Sequence, residues 1–227
     1  MMAAMAQLVL DLGHRPALGR DSFLVAPSNE TAVAWLDRWP NWPAPALVVH
    51  GPPGCGKSHL VEVWRARSGA STERDPGRLS RSRARALALD DAERLPAEDL
   101  LHLYNVMAEA EGHVLMTASR APALWDAGLA DLRSRVLAAP SVAIGPPDDA
   151  LLGAVIVKLF ADRQLQVTAE VIEFLVRRIE RSFAGVRAAV ARLDAAALAE
   201  KRPVTVPLAR EVLGGDDQST ASSAGVT

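Results

Sequence analysis

The chain has 227 residues, 49% of them hydrophobic and 23% charged, with a formal net charge of −2. That length buries one good core with a small second domain, and the near-neutral charge excludes a protein that coats DNA through bulk electrostatics, so any nucleic-acid contact is local. The single cysteine, Cys55, excludes a disulfide framework and a clustered Cys/His metal site, and it fits a reducing, cytoplasmic compartment.

Met1 to Leu12 is apolar but too short to span a bilayer and lacks the positive start of a signal peptide, so neither export nor a membrane span is expected. Within it Leu8, Leu10 and Leu12 alternate with other residues, as an edge strand would. The first buried strand is predicted at Ala46-Leu47-Val48-Val49. It runs into Gly51-Pro52-Pro53-Gly54-Cys55-Gly56-Lys57-Ser58, which satisfies G-x-x-x-x-G-K-[ST]. In such a loop backbone N–H groups converge on phosphates, the lysine reaches the outer phosphates as a point charge, and the serine hydroxyl serves magnesium. Helical spacing continues from Ser58 through His59, Leu60, Val61, Val63 and Trp64, and the helix N-terminus favours the anion. Pro53, Gly54, Cys55, Gly56, Lys57, Ser58 and His59 are therefore the candidate nucleotide-binding residues.

Only about thirty residues separate Lys57 from Asp90, short for a further helix and strand with their loops, so an eroded sheet edge is expected there. Seven arginines fall between Arg65 and Arg85, readable as a solvated loop or as local contacts to nucleic-acid phosphates. Next, Ala86-Leu87-Ala88-Leu89-Asp90-Asp91 is an apolar strand ending in two carboxylates, the form of a Walker B element. There Asp90 would hold magnesium with Ser58, and Asp91 would orient or polarise the attacking water; the two acids could otherwise cap a following helix. A third strand, Val114-Leu115-Met116, leads to Thr117, Ala118, Ser119 and Arg120. Ser119 is the first choice for a side chain that senses the terminal phosphate, with Thr117 second.

From Gly145-Pro146-Pro147 onward the chain turns helical. Segments Asp148 to Arg163, Thr168 to Glu180, Phe183 to Glu200 and Pro207 to Leu213 carry apolar residues near a 3.6-residue period, predicting a small helical lid after the α/β domain. Gly214 to Thr227 has little apolar content and is expected to be disordered.

The order of these motifs resembles the AAA+ ATPases, and more closely the DnaA/Hda family. Phe23 to Glu30 looks like that family's nucleotide-flanking segment. Leu132-Arg133-Ser134-Arg135 is similar to its Box VII, whose last residue, here Arg135, is an arginine finger reaching into a neighbouring subunit's site. Ala184-Gly185-Val186-Arg187 resembles sensor II, which implies that Arg187 approaches bound phosphates from the lid. The resemblance spans roughly Phe23 to Leu213 and implies an α/β AAA+ P-loop module with a parallel sheet, followed by a helical lid. The expected divisions are 1–22, 23–146, 147–213 and 214–227.

DnaA initiators carry a helix-turn-helix domain after the lid, and this sequence stops there, so the likeness is expected to lie with shorter, Hda-type regulators. Gln7-Leu8-Val9-Leu10-Asp11-Leu12 then resembles a clamp-binding hexapeptide, with Leu10 and Leu12 filling an apolar pocket and the Gln7 amide bonding at its rim. The implied cofactors are ADP or ATP with Mg. The implied partners are the DNA polymerase sliding clamp, a DnaA-type initiator and a second copy of the chain, with no membrane. Two other readings stay open: an autonomous AAA+ ATPase of helicase or clamp-loader type, and a clamp adaptor without catalysis.

Overall fold

A computed structural model of the protein describes residues 24–214. The chain divides into two compact units, one ending at Pro146 and the other beginning at Pro147.

The first unit is built on four parallel strands. They are β1 (Ala46–His50), β2 (Ala86–Leu89), β3 (His113–Ala118) and β4 (Ser141–Ala143), in the spatial order β2-β3-β1-β4. Around them lie α1 (Glu30–Asp37), α2 (Lys57–Ser68), α3 (Pro76–Arg81), α4 (Ala97–Glu109) and α5 (Ala130–Ala138). Ala46 pairs with Val114 and Val48 with Met116, so β1 and β3 run in register at the centre of the sheet. Parallel strands buried on both faces must be apolar at nearly every position, and each strand's residues divide by parity between two cores. Leu47, Val49, Ala86, Ala88 and Leu115 face one core with Leu36 of α1 and Leu60 and Trp64 of α2. Ala46, Val48, Leu87, Leu89, Val114 and Met116 face the other with Leu79 of α3, Leu103 and Met107 of α4, and Leu132 and Val136 of α5.

At the amino end of the strands the first core closes with aromatic rings. Trp42 stacks on Trp64 at a centroid distance of 5.6 Å, Trp39 meets Trp64 edge-on at 5.9 Å, and His113 meets Trp42 edge-on at 5.5 Å. Burial pushes the His113 pKa below its ordinary 6.5.

The interval between α2 and β2 yields only α3 and a lone parallel bridge from Ser71 to Leu87, closed by Ser71 N–H to Ala86 O and Ala88 N–H to Ser71 O. A fifth edge strand is thus reduced to one residue. The arginines from Arg65 to Arg85 are mostly tied to the protein: Arg65 pairs with Glu62 at 2.8 Å, Arg67 with Asp37 at 3.1 Å and Arg78 with Asp75 at 3.7 Å, while Arg85 donates to the Ala110 carbonyl.

The second unit holds α6 (Asp149–Ala161), α7 (Ala169–Arg178), α8 (Phe183–Glu200) and α9 (Val206–Gly214) around Phe160, Leu175, Leu193 and Leu208. Asp148 caps α6 by accepting Leu151 N–H at 2.8 Å, and Ser182 caps α8 by accepting Gly185 N–H at 2.9 Å. The expected first lid helix ends two residues early, ahead of a turn in which Gln164 takes a φ of 59°. Gln7 to Leu12 and the tail beyond Gly214 lie outside the described residues.

Candidate nucleotide-binding site

β1 lies inside the sheet, and Gly51 to Gly56 follow its carboxyl end before α2 begins at Lys57. Ligands of open α/β sheets bind outside the carboxyl ends of the strands, where this loop lies. Gly51 is required by space: a Cβ there would come within 2.2 Å of the Ile144 carbonyl, just beyond β4. Gly56 precedes α2 with a φ of 102°, a conformation L side chains rarely adopt. The N–H groups available to an anion come from Gly54 onward, because Pro52 and Pro53 have none.

The Lys57 ammonium is buried and donates to the carbonyls of Gly51 at 2.8 Å and Pro52 at 2.9 Å, with Cys55 Sγ 4.0 Å away. Burial raises the Cys55 pKa, and the lysine charge opposes that rise. At the end of β1, burial lowers the His50 pKa from 6.5 and the Lys57 charge lowers it further. His59 is exposed on the first turn of α2.

The Walker-type carboxylate meets this loop directly. Ser58 Oγ donates to Asp90 Oδ2 at 2.7 Å, although 32 residues separate the two. Thr117, in the buried last turn of β3's pleat, donates its hydroxyl to Asp90 Oδ1 and accepts Asp91 N–H at 3.0 Å. Asp91 itself takes a left-handed conformation, φ 54° and ψ 47°, and its carboxylate is about half exposed, 4.0 Å from Arg94. Ser58 and Asp90 thus converge as a hydroxyl and a carboxylate, donors of the kind that suit Mg²⁺, which keeps several waters and takes one or two carboxylates plus phosphate oxygens. Among the described residues no group of three or more His, Cys, Asp or Glu could hold a metal. A lone carboxylate with a hydroxyl does not need one.

The two candidates for the sensing position, Ser119 and Thr117, are held in different ways. Thr117 touches the Asp90 carboxylate, whereas Ser119 is engaged through its backbone N–H, donated to Glu93 Oε1 at 2.5 Å. Two further residues join that no motif marked. They are Glu93 and Arg74, whose guanidinium donates to the Asp90 carbonyl at 2.9 Å. The eroded edge is what brings Arg74 there, a consequence of topology with no local sequence signal.

Arg135 lies apart from this network. It occupies the last turn of α5, 3.5 Å from Asp131 and with its guanidinium 5.4 Å from the Tyr104 ring centre. Its Nε is buried with no hydrogen-bond partner among the described residues. Burial raises the Tyr104 pKa, and the Arg135 charge opposes that shift. Arg187 belongs to the second unit, where it is exposed near the start of α8.

Comparison with known proteins fits this arrangement. The family described as "Hda, lid domain" matches residues 154–213. The chain is 28% identical over 239 aligned positions to the chromosomal replication initiator protein DnaA of Thermomicrobium roseum, covering 90% of this chain and 51% of that protein. Domain III of Thermotoga maritima DnaA superposes with a TM-score of 0.73 at 17% identity, covering 85% of this chain and 94% of the other. The chain is thus similar to DnaA/Hda-type AAA+ proteins. An AMPPCP-bound DnaA from Aquifex aeolicus shares the fold with a TM-score of 0.65 at 17% identity, covering 88% and 68% of the two chains. The chain spans about half the length of the curated relatives it matches. Among its described residues no helix is long and apolar enough to cross a membrane.

Proposed function

We propose that this chain is a nucleotide-bound regulator of replication initiation that docks on the sliding clamp through Gln7 to Leu12 and presents Arg135 to ATP held by a DnaA-type initiator. Its own loop, Gly54 to Ser58, holds ADP or ATP, with Mg at Ser58 and Asp90. Asp91 and Thr117 stand at the outer end of that site. Arg187 reads the phosphates from the lid, and the bound nucleotide acts as a conformational signal more than as fuel.

The observation that carries this reading is the separation of Arg135 from the chain's own polar network. Its contacts are with Asp131 and Tyr104, not with Ser58, Asp90 or Thr117. The contacts that hold Arg135 are modest: a partly exposed i,i+4 ion pair of about 0.3–0.5 kcal/mol and a cation–π contact with Tyr104 of about 0.5–1 kcal/mol oppose its release toward a partner. A finger supplied in trans meets charge developing on the transferred phosphoryl group and is worth roughly 10³–10⁵ in rate. The match of residues 154–213 to the Hda lid supports the regulatory role over an initiator's.

The test is reconstitution. Hydrolysis of initiator-bound ATP is followed with DNA-loaded clamp, with and without this chain. Stimulation is expected from the wild type and is lost with Arg135→Ala, which keeps its own nucleotide affinity. Fast turnover by this chain alone, indifferent to initiator and clamp, would favour an autonomous ATPase instead. Clamp binding that survives deletion of Gln7 to Leu12 would remove the docking claim.

A further inference from the structure

The end of β3 is braced against the Asp90–Asp91 turn by a side chain outside the nucleotide motifs. Asp91 adopts a left-handed conformation that residues other than glycine seldom take, and the turn it makes opens a short 3₁₀ segment, Ala92–Arg94. That segment carries Glu93 back to β3, where Oε1 accepts the Ser119 N–H at 2.5 Å. The other oxygen, Oε2, is buried and has no hydrogen-bond partner among the described residues. A carboxylate with one oxygen buried and unsatisfied is costly to keep. Fold stability alone is a poor reason for it, since an apolar side chain would fill the space without that cost.

We propose that Glu93 is a positioning residue which holds the carboxyl end of β3 so that Thr117 and Ser119 face the outermost phosphate of a bound nucleoside triphosphate, setting the site's choice between ATP and ADP. The proposal rests on the nucleotide-binding reading above. Thr117 is locked to Asp90 and to the Asp91 N–H, and Ser119 is locked to Glu93. These ties flank Ala118 and fix the strand end in both rotation and height. The loop that would grip the inner phosphates follows β1 and leads into α2, and the hydrogen bond Glu93 makes among the described residues goes to Ser119 instead. Loss of the strap therefore leaves that grip in place and loosens only the region a third phosphate would meet.

The full chain is titrated with ADP and with a non-hydrolysable ATP analogue, each with Mg²⁺, as wild type, Glu93→Met and Glu93→Gln. Methionine keeps the volume and removes the acceptor; glutamine keeps an amide oxygen for the Ser119 N–H. The expected result for Glu93→Met is an analogue affinity about tenfold weaker relative to ADP, the effect of losing one charge-assisted hydrogen bond, with ADP affinity held within about twofold. Glu93→Gln keeps the wild-type ratio within about threefold. Four results would overturn the proposal: equal weakening or loss of both nucleotides in Glu93→Met, an unchanged ratio, a glutamine variant that behaves like the methionine one, or a wild type that binds ADP but no analogue. A wild type that binds neither nucleotide would instead sink the nucleotide-binding reading.

Discussion

The two ends of the sheet's central strands are finished in opposite ways. At the carboxyl end of β1 and β3 sit Lys57, tied to its own loop, and Ser58, Asp90, Thr117 and Glu93, whose hydrogen bonds join residues far apart in sequence. At the amino end the same layer closes with Trp39, Trp42, Trp64 and His113, ring against ring. The strands between them are equally apolar, so burial does not distinguish the ends. What differs is direction. Backbone N–H groups and a helix N-terminus gather at the carboxyl end and suit an anion, while the amino end receives the last turns of α2 and has only packing to offer. Mutations at the two ends should therefore separate stability from binding.

The largest effect belongs to the aromatic end. Trp64→Ala should cost about 3–5 kcal/mol in urea unfolding, because it opens a cavity under Trp42 and Trp39. Trp64→Phe should cost less than Trp64→Ala, since it leaves a smaller cavity and the Trp64 indole N–H is buried with no hydrogen-bond partner among the described residues, so that its loss removes no hydrogen bond. Nucleotide binding by the Phe variant should match the wild type; a large drop would mean that the ends are not independent.

Thr117→Val reverses the pattern. It strips the hydroxyl that bridges Asp90 and the Asp91 N–H, leaving buried groups unpaired at a cost of about 1–3 kcal/mol. Mg²⁺-dependent nucleotide affinity should fall more than unfolding stability does. Equal loss of both would make Thr117 a packing residue only.

The smallest effect is that of pH. The folded-state pKa values of His50 and His113 are both depressed from 6.5, so the unfolded chain binds more protons and these groups destabilise the fold as pH falls below that value. The melting temperature should fall between about pH 7.5 and 5.5, and His113→Gln should flatten part of the decline. An unchanged slope in that variant would place the titration elsewhere.

The carboxyl end was legible in sequence where its chemistry is contiguous. Gly51 to Ser58 must lie together because one loop wraps one phosphate chain, and Ala86 to Asp91 shows its buried strand and its acids in a single run. The lid helices declared themselves by period. Glu93 was not legible, because its reach to Ser119 depends on the left-handed turn at Asp91 and on β2 and β3 being neighbours, which no local pattern states. The different settings of Thr117 and Ser119 were not legible either: β3 runs on to Ala118, which keeps Thr117 inside the pleat beside Asp90 and leaves Ser119 just past the strand, held through its N–H. The tryptophan cluster was equally hidden: Trp39 and Trp42 lie in the connection between α1 and β1 and Trp64 in α2, and they meet only once α2 has folded back along the sheet.

The most direct test of the account is an equilibrium titration of ADP and ATP, with Mg²⁺, onto the full chain and onto Lys57→Ala. The account predicts saturable binding at one site per chain in the wild type and an affinity about a hundredfold weaker in the variant, the effect of removing a buried cation from phosphate oxygens. Wild-type chain that binds no nucleotide, or a Lys57→Ala variant that binds as well as the wild type, would contradict it.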